Sequence, residues 1–326
     1  MAGMALLTVP VTVRTPATSA NLGPGFDALG LALCLHDEVT AQVTPGGVRV
    51  TVSGEGAGEL PGDDQHLVVR SMRAAFDLLG EQPAGLELHC VNRIPQARGL
   101  GSSSAAIVAG VLLARALVSE GADRFDDDAA LALAARLEGH PDNVAPCLLG
   151  GFTIAWTEAA EHGAGPGPAR AVRLTPAEGV RPVVFVPEER GLTEEARAAL
   201  PPAVPHRDAA HSAGRAALLV HALTARPELL LAATEDRLHQ GYRAAGAPAT
   251  AGLVEELRAA GVPAVVSGAG PSVLVLAAPG WAPPQPTGWR VWTLDVDTTG
   301  ATVTMSGGSG ILEHAERDPV AAGWKR

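Results

Sequence analysis

Ile94 to Ala106 read IPQARGLGSSSAA, two glycines and three serines between an alternating segment and a long apolar one. The segment before it, GLELHCVNRI, sets Leu86, Leu88 and Cys90 on one face and is a predicted strand. The segment after it is apolar on nearly every side and is a predicted buried helix. Glycines let the backbone turn with its N–H groups converging, and the helix start adds the positive end of its dipole, so Gly99–Ala105 suits a polyphosphate. The run is neither of two common nucleotide loops. Ser104 stands where the dinucleotide fingerprint needs its third glycine, and the lysine of a Walker loop is missing, because Lys325 is the only lysine in the chain. That single lysine also argues against protein-kinase and Schiff-base chemistry. What remains is a lysine-free cradle with Ser102, Ser103 and Ser104 as hydroxyl donors or metal ligands; a glycine turn with serine caps explains the run equally well.

Outward from this loop, VTVRTPATSA, DEVTAQVTP and GVRVTVSGEG alternate as strands, and HLVVRSMRAAFDLLG has helical spacing with Gly80 as its stop. DDDAALALAARLEG is a predicted helix with Asp126–Asp128 at its start and Gly139 at its end. Helices and strands continue alternating to WRVWTLDV, giving an α+β chain in two halves, 1–165 and 166–326, divided at the Pro/Gly-rich Gly163–Pro168 and ending in an expected flexible tail after about 306. At 326 residues and 47% hydrophobic content the chain can bury two cores. Its net charge of −11 disfavours nucleic acid and anionic membranes as partners. Three scattered cysteines indicate neither disulfides nor zinc, and without a signal peptide or an apolar run of membrane length a cytoplasmic protein is expected.

Three further stretches carry polar groups in odd places. LEGHPDN holds Glu138, His140, Asp142 and Asn143 within six positions; Glu138 falls at the negative end of its helix, where a cation such as Mg²⁺ would answer it, while Asp142 and Asn143 could simply cap the next helix. SGAGPSVL, Ser267–Leu274, is a second glycine turn between strands, explicable as a tight hairpin. PATSANLGPGFDALGL, Pro16–Leu31, sets Asn21 and Asp27 six residues apart in a turn.

In order along the chain, these four stretches resemble the motifs of the kinase superfamily named for galactokinase, homoserine kinase, mevalonate kinase and phosphomevalonate kinase (GHMP kinases), and the forms PATSANLGPGFD and EGHPDNVAP resemble its homoserine kinase branch. The resemblance implies a two-domain fold: an N-terminal domain like domain 2 of ribosomal protein S5, with an unusual left-handed crossover, and a ferredoxin-like C-terminal domain. It implies ATP as co-substrate, with Pro95, Arg98, Gly99, Leu100, Gly101, Ser102, Ser103, Ser104 and Ala105 around its phosphates and Mg²⁺ on Glu138 and Ser102 or Ser103. DQHLVVR falls where the family holds adenine, with His66 in place of the Asn of many members. The acceptor implied is L-homoserine, a zwitterion with a reactive hydroxyl, lined by Asn21, Asp27, His140 and Asp142, with Arg197 and Arg243 on its carboxylate and Asn143 orienting the hydroxyl. With no lysine near the motifs, in-line attack without a strong base is expected. Threonine, sharing the zwitterion and a hydroxyl, would compete for the pocket. The alternatives are another small-molecule kinase of this fold and a catalytically silent nucleotide-binding member; a homodimer is the expected assembly.

Overall fold

The computed structural model describes residues 5–159 and 167–305. The expected tail after 306 lies outside them.

The first sheet is built around one long strand. β1 (Val11–Ala20) runs antiparallel to β2 (Leu29–Thr44), and β2 serves two partners on its other edge: β4 (Gly85–Asn92) along Glu38–Thr44 and β5 (Phe152–Thr157) along Leu29–Leu31. β3 (Gly47–Gly54) lies parallel to β4, joined to it through helix α1 (Leu67–Leu79). The alternation of β4 holds as expected, with Leu86, Leu88 and Cys90 buried on one face and His89 exposed on the other. On this sheet pack α1 and α2 (Ser102–Ala116); α2 carries ten buried residues and almost no polar face, as its all-round apolar sequence requires. α3 (Asp127–Glu138) is capped by Asp126, whose side chain accepts from Ala129 N, and stopped by Gly139 at φ 95°; the short α4 (Val144–Leu149) follows.

β6 (Ala169–Leu174) pairs with β5 and so belongs to the first sheet, although it follows the expected division at 165/166. β5 needs a partner for its outer edge, and the hairpin supplies it. The chain also returns at its far end, where β11 (Thr302–Met305) pairs with β1.

Between these lies a second sheet in the order β10–β7–β9–β8, made of β7 (Arg181–Pro187), β8 (Ala264–Val266), β9 (Val273–Ala277) and β10 (Trp289–Thr293), antiparallel throughout. This 4-1-3-2 order is that of a ferredoxin-like sheet. Both long helices, α6 (His206–Ala225) and α7 (Pro248–Ala259), fall between β7 and β8, and the β9–β10 connection, rich in Pro and Gly, holds no helix. The short α5 (Thr193–Ala198) precedes α6 and buries no residue.

Candidate active site

The glycine loop sits where the two sheets meet. Gly99 and Gly101 have φ of 71° and 70°, and each is also pressed by a neighbour: a Cβ on Gly99 would lie 2.2 Å from Ser267 O, and one on Gly101 would lie 2.0 Å from Thr18 Oγ1. Thr18 N donates to Leu100 O at 3.1 Å from the first sheet, and the Ser267 hydroxyl donates to Gly99 O at 2.6 Å from the second. The loop is therefore held from both sides with its N–H groups left over. Gly101 caps α2, and Ala105 N donates back to Gly101 O at 2.9 Å, so the helix ladder begins there and the N–H groups of Ser102, Ser103 and Ser104 have no intrahelical acceptor. The Ala105 N–H is spent on the helix, although Ala105 lines the second cleft described below, and the Ser104 side chain is fully buried.

Glu138 is the partner of the Ser104 hydroxyl. The hydroxyls of Ser103 and Ser104 donate to its Oε1 at 2.6 and 2.9 Å. A carboxylate at the negative end of α3 is thus answered by the positive start of α2, without a cation being required for its placement. Its Oε2 takes no hydrogen bond among the described residues, and Ser102 stands free in the cleft beside it. A carboxylate oxygen with nearby serine hydroxyls is a hard oxygen set of the kind Mg²⁺ takes alongside phosphate oxygens, so the residues present fit that ion.

A cleft of roughly 890 Å³ opens in front of the loop, lined among others by Asn21, Asp27, Pro95, Arg98, Glu138, His140, Asp142, Asn143, Arg197 and Arg243. Most of the polar side chains picked from five separate stretches thus converge on one space. Their hydrogen bonds sort them further. Asn21, at φ 67° and buried, donates to Gly268 O at 2.8 Å and accepts from Asp27 N at 2.9 Å. Both ends of its amide are used, so Asn21 lines the cleft as the lock that closes the turn and aims Asp27, not as a free ligand. The six-residue spacing is the span of that lock. Asp27 in turn holds Arg197 by two bonds, at 2.9 and 3.0 Å.

Arg243 is the fixed arginine. Its Nε donates to Ala196 O at 3.1 Å and its Nη1 to Nδ1 of the buried His239 at 3.1 Å, while His239 Nε2 donates to Gly23 O at 2.8 Å. Burial lowers the pKa of His239, in keeping with a neutral ring that accepts at one nitrogen and donates at the other. Both guanidinium groups lie over the Phe26 ring, at 5.7 Å for Arg197 and 5.4 Å for Arg243. Arg98 differs from both: its three guanidinium nitrogens donate to Pro187 O, Gln96 O and Glu188 O at 2.9, 2.7 and 2.6 Å, which straps the loop to the end of β7 while the residue still lines the cleft.

Asp142 is 2% exposed and accepts from His140 Nδ1 at 2.6 Å. Burial opposes charge on His140, but the hydrogen bond to Asp142 and the negative charges of Asp142, Glu138 and Asp27 outweigh it and raise its pKa. Asn143 occupies the cap position of α4 without capping it. Its Oδ1 instead accepts from the Thr18 hydroxyl at 2.8 Å, so the group it offers the cleft is its amide N–H₂.

A second cleft, of about 870 Å³, continues past Ala97, Ser102 and Ser103, which line both, to Asp37, Gln65 and His66. His66 caps α1 by accepting from Val68 N at Nδ1, which leaves the proton on Nε2; that atom is buried and has no partner. Asp37 accepts from Arg93 N and Ile94 N through one oxygen, yet burial pushes its pKa up to about 6.

Thr18, His239, Phe26 and Asp37 were not picked from the sequence. Two of them carried a signal: Asp37 is an acid inside an apolar strand, and His239 stands four residues before Arg243, the spacing of neighbours on one helical face.

Residues 66–151 match the family described as GHMP kinases N terminal domain. The homoserine kinases of Streptomyces avermitilis and Streptomyces coelicolor are each 58% identical over 307 residues, covering 93% of this chain and 98% and 97% of theirs. Among solved structures, homoserine kinase from Cytophaga hutchinsonii superposes with a TM-score of 0.76 at 26% identity, over 90% of this chain and 97% of that one.

Proposed function

This chain belongs to the homoserine kinase family of the GHMP kinases and phosphorylates the side-chain hydroxyl of L-homoserine with ATP, a reaction of threonine biosynthesis; on that premise we propose how the cleft carries it out. The observation that carries the proposal is the adjacency of the lysine-free glycine loop and the Asp27/Arg197/Arg243 group in one cleft. ATP spans the two clefts, its base toward His66 and its phosphates over Gly99–Ser103, where the unpaired N–H groups of the first turn of α2 meet them. Glu138, with Ser102 or Ser103, would hold Mg²⁺, which when bound neutralises charge on the transferring phosphates.

The amino acid lies on the other side of the γ-phosphate. Asp27 takes its ammonium, and Arg243, fixed by His239 and Ala196 O, takes its carboxylate together with Arg197. Those three contacts fix where the hydroxyl points. Asn143, its carbonyl pinned by Thr18, donates its amide N–H toward the oxygens on which charge develops. Asp142 stays paired with His140 and shapes this corner. A loose phosphoryl transfer asks little of a base, so positioning and charge neutralisation supply most of the acceleration. The net charge of −11 suits small substrates better than nucleic acid or an anionic membrane, and no described helix is long and apolar enough to cross a bilayer; we assign the enzyme to the cytoplasm.

The test is ADP release in the presence of Mg²⁺ with L-homoserine, D-homoserine, L-threonine, mevalonate and galactose as acceptors, in the native enzyme and in Asn143→Ala. The expected result is turnover dependent on L-homoserine that falls far more in Asn143→Ala than ATP affinity does. An acid-limb pKa in the rate profile that vanishes with Asp142→Asn would instead make Asp142 a true base.

A further inference from the structure

The two charged groups assigned to the amino acid are bonded to each other. Arg197 Nη1 and Nη2 reach Asp27 Oδ2 and Oδ1 at 3.0 and 2.9 Å, a fork-to-fork pair on the wall of the cleft. We propose that this ion pair is an internal surrogate for the substrate and makes the site selective for zwitterions: the Asp27 carboxylate stands in for the ligand's carboxylate and the Arg197 guanidinium for its ammonium, and the amino acid binds by exchanging partners with both.

The proposal rests on the assignment of Asp27 and Arg197 to the amino-acid site. Its physical content is a coupling. A ligand with both charges separates the pair and gives each member a new partner, so nothing is left uncompensated. A ligand with one charge must strip one member from the other and leave that other member facing the cleft alone. The surroundings make the penalty unequal to a simple loss of contact: Arg197 is held raised in pKa first by its bond to Asp27, and it already shares the Phe26 ring with Arg243, a second positive charge. Asp27 likewise shares the cleft with the acidic Asp142 and Glu138, and His140, Arg243 and Arg98 are the other ionisable groups lining it.

The geometry also says which arginine moves. Arg243 is buried and bonded to Ala196 O and His239. Arg197 is half exposed, and α5, which carries it, buries no residue at all. Exchange therefore consists of Arg197 leaving Asp27 while Arg243 stays.

The test uses three ligands that keep the hydroxyl at the same spacing from each charge they retain: L-homoserine, 4-hydroxybutyrate, which lacks the ammonium, and 3-aminopropan-1-ol, which lacks the carboxylate. Their dissociation constants are measured by calorimetry or NMR titration on the native enzyme, on Asp27→Asn and on Arg197→Gln. Asn suits position 27 because that residue has φ 56°, a conformation Asn tolerates. Both substitutions should weaken L-homoserine. The same substitutions should strengthen one ligand each: 4-hydroxybutyrate should bind Asp27→Asn about fivefold tighter than the native enzyme, and 3-aminopropan-1-ol should bind Arg197→Gln tighter by a similar factor, the scale of an exposed ion pair no longer in competition. If both variants lose L-homoserine and neither gains its single-charge ligand, the pair is not a competitor and the proposal falls while the site assignment stands. If both variants bind L-homoserine as the native enzyme does, the site assignment falls and takes the proposal with it.

Discussion

Asp37 offers a sharp test of the electrostatics beneath the second cleft. Its carboxylate is 5% exposed, and burial outweighs the two backbone N–H bonds and the charge of Arg93, raising its pKa from 3.8 to about 6. A raised carboxylate pKa means that the fold prefers the protonated form. Stability from this group is fully present below 3.8, falls as pH rises through the window from 3.8 to about 6, and stays at its lower value above it. The rise corresponds to about 3 kcal/mol at pH 8, taking about 1.4 kcal/mol per unit. Asp37→Asn removes the charge but keeps an oxygen to accept from Arg93 N and Ile94 N, since both bonds go to the same atom, Oδ1. The variant should therefore be more stable than the native enzyme at pH 8, by up to about 3 kcal/mol, and no more stable near pH 4. Urea unfolding of both proteins without nucleotide, across pH 4 to 8, reads the difference directly. A difference independent of pH, or a variant less stable at pH 8, would refute the claim that Asp37 is held as an uncompensated buried charge.

Two further outcomes follow from the same structure. Gly101→Ala must adopt φ 70° and meet Thr18 Oγ1, so it should cost about 1–2 kcal/mol from the backbone alone, more with the clash, and raise the KM for ATP; urea unfolding and ATP kinetics check both. His140 has a raised pKa beside Asp142, so the stability it contributes is present below its unfolded pKa and lost as pH rises through the folded value. His140→Asn should accordingly destabilise the enzyme at pH 6 more than at pH 9 in the same measurement.

How far the sequence could be read depended on the range of the interactions. α1 and α3 were legible to their end residues because Gly80 and Gly139 act within one turn of their own helices. The residues around the glycine loop were legible as types, since convergent N–H groups and hydroxyls follow from local composition. What each side chain does was not, wherever its partner lies far along the chain. Nothing near Arg98 in the sequence tells that the carbonyls of Pro187 and Glu188 hold it, and Asn143 looks like a helix cap until Thr18 claims its carbonyl. Asn21 shows the intermediate case: its bond to Asp27 N is local, but the bond to Gly268 O that completes its role is not. At the division placed at 165/166, composition marks a loop, while strand pairing decides that β6 joins the first sheet.

The return of β11 to β1 bears on how the molecule is made. Val11 lies opposite Met305, so the outer edge of β1 has no partner until β11 has been synthesised. Asp297, whose carboxylate accepts from His36 at 2.6 Å and from the N–H groups of Thr299 and Gly300, fastens the same late segment onto β2. An emerging chain thus carries an open strand edge beside the PATSAN turn while all of the second sheet is still being added. The glycine loop, whose other support is Ser267, is likewise unfinished through that interval. The edge of the first sheet and the phosphate cradle thus both wait on the second half of the fold, and a chain truncated before Thr302 would present the edge of β1 to its neighbours.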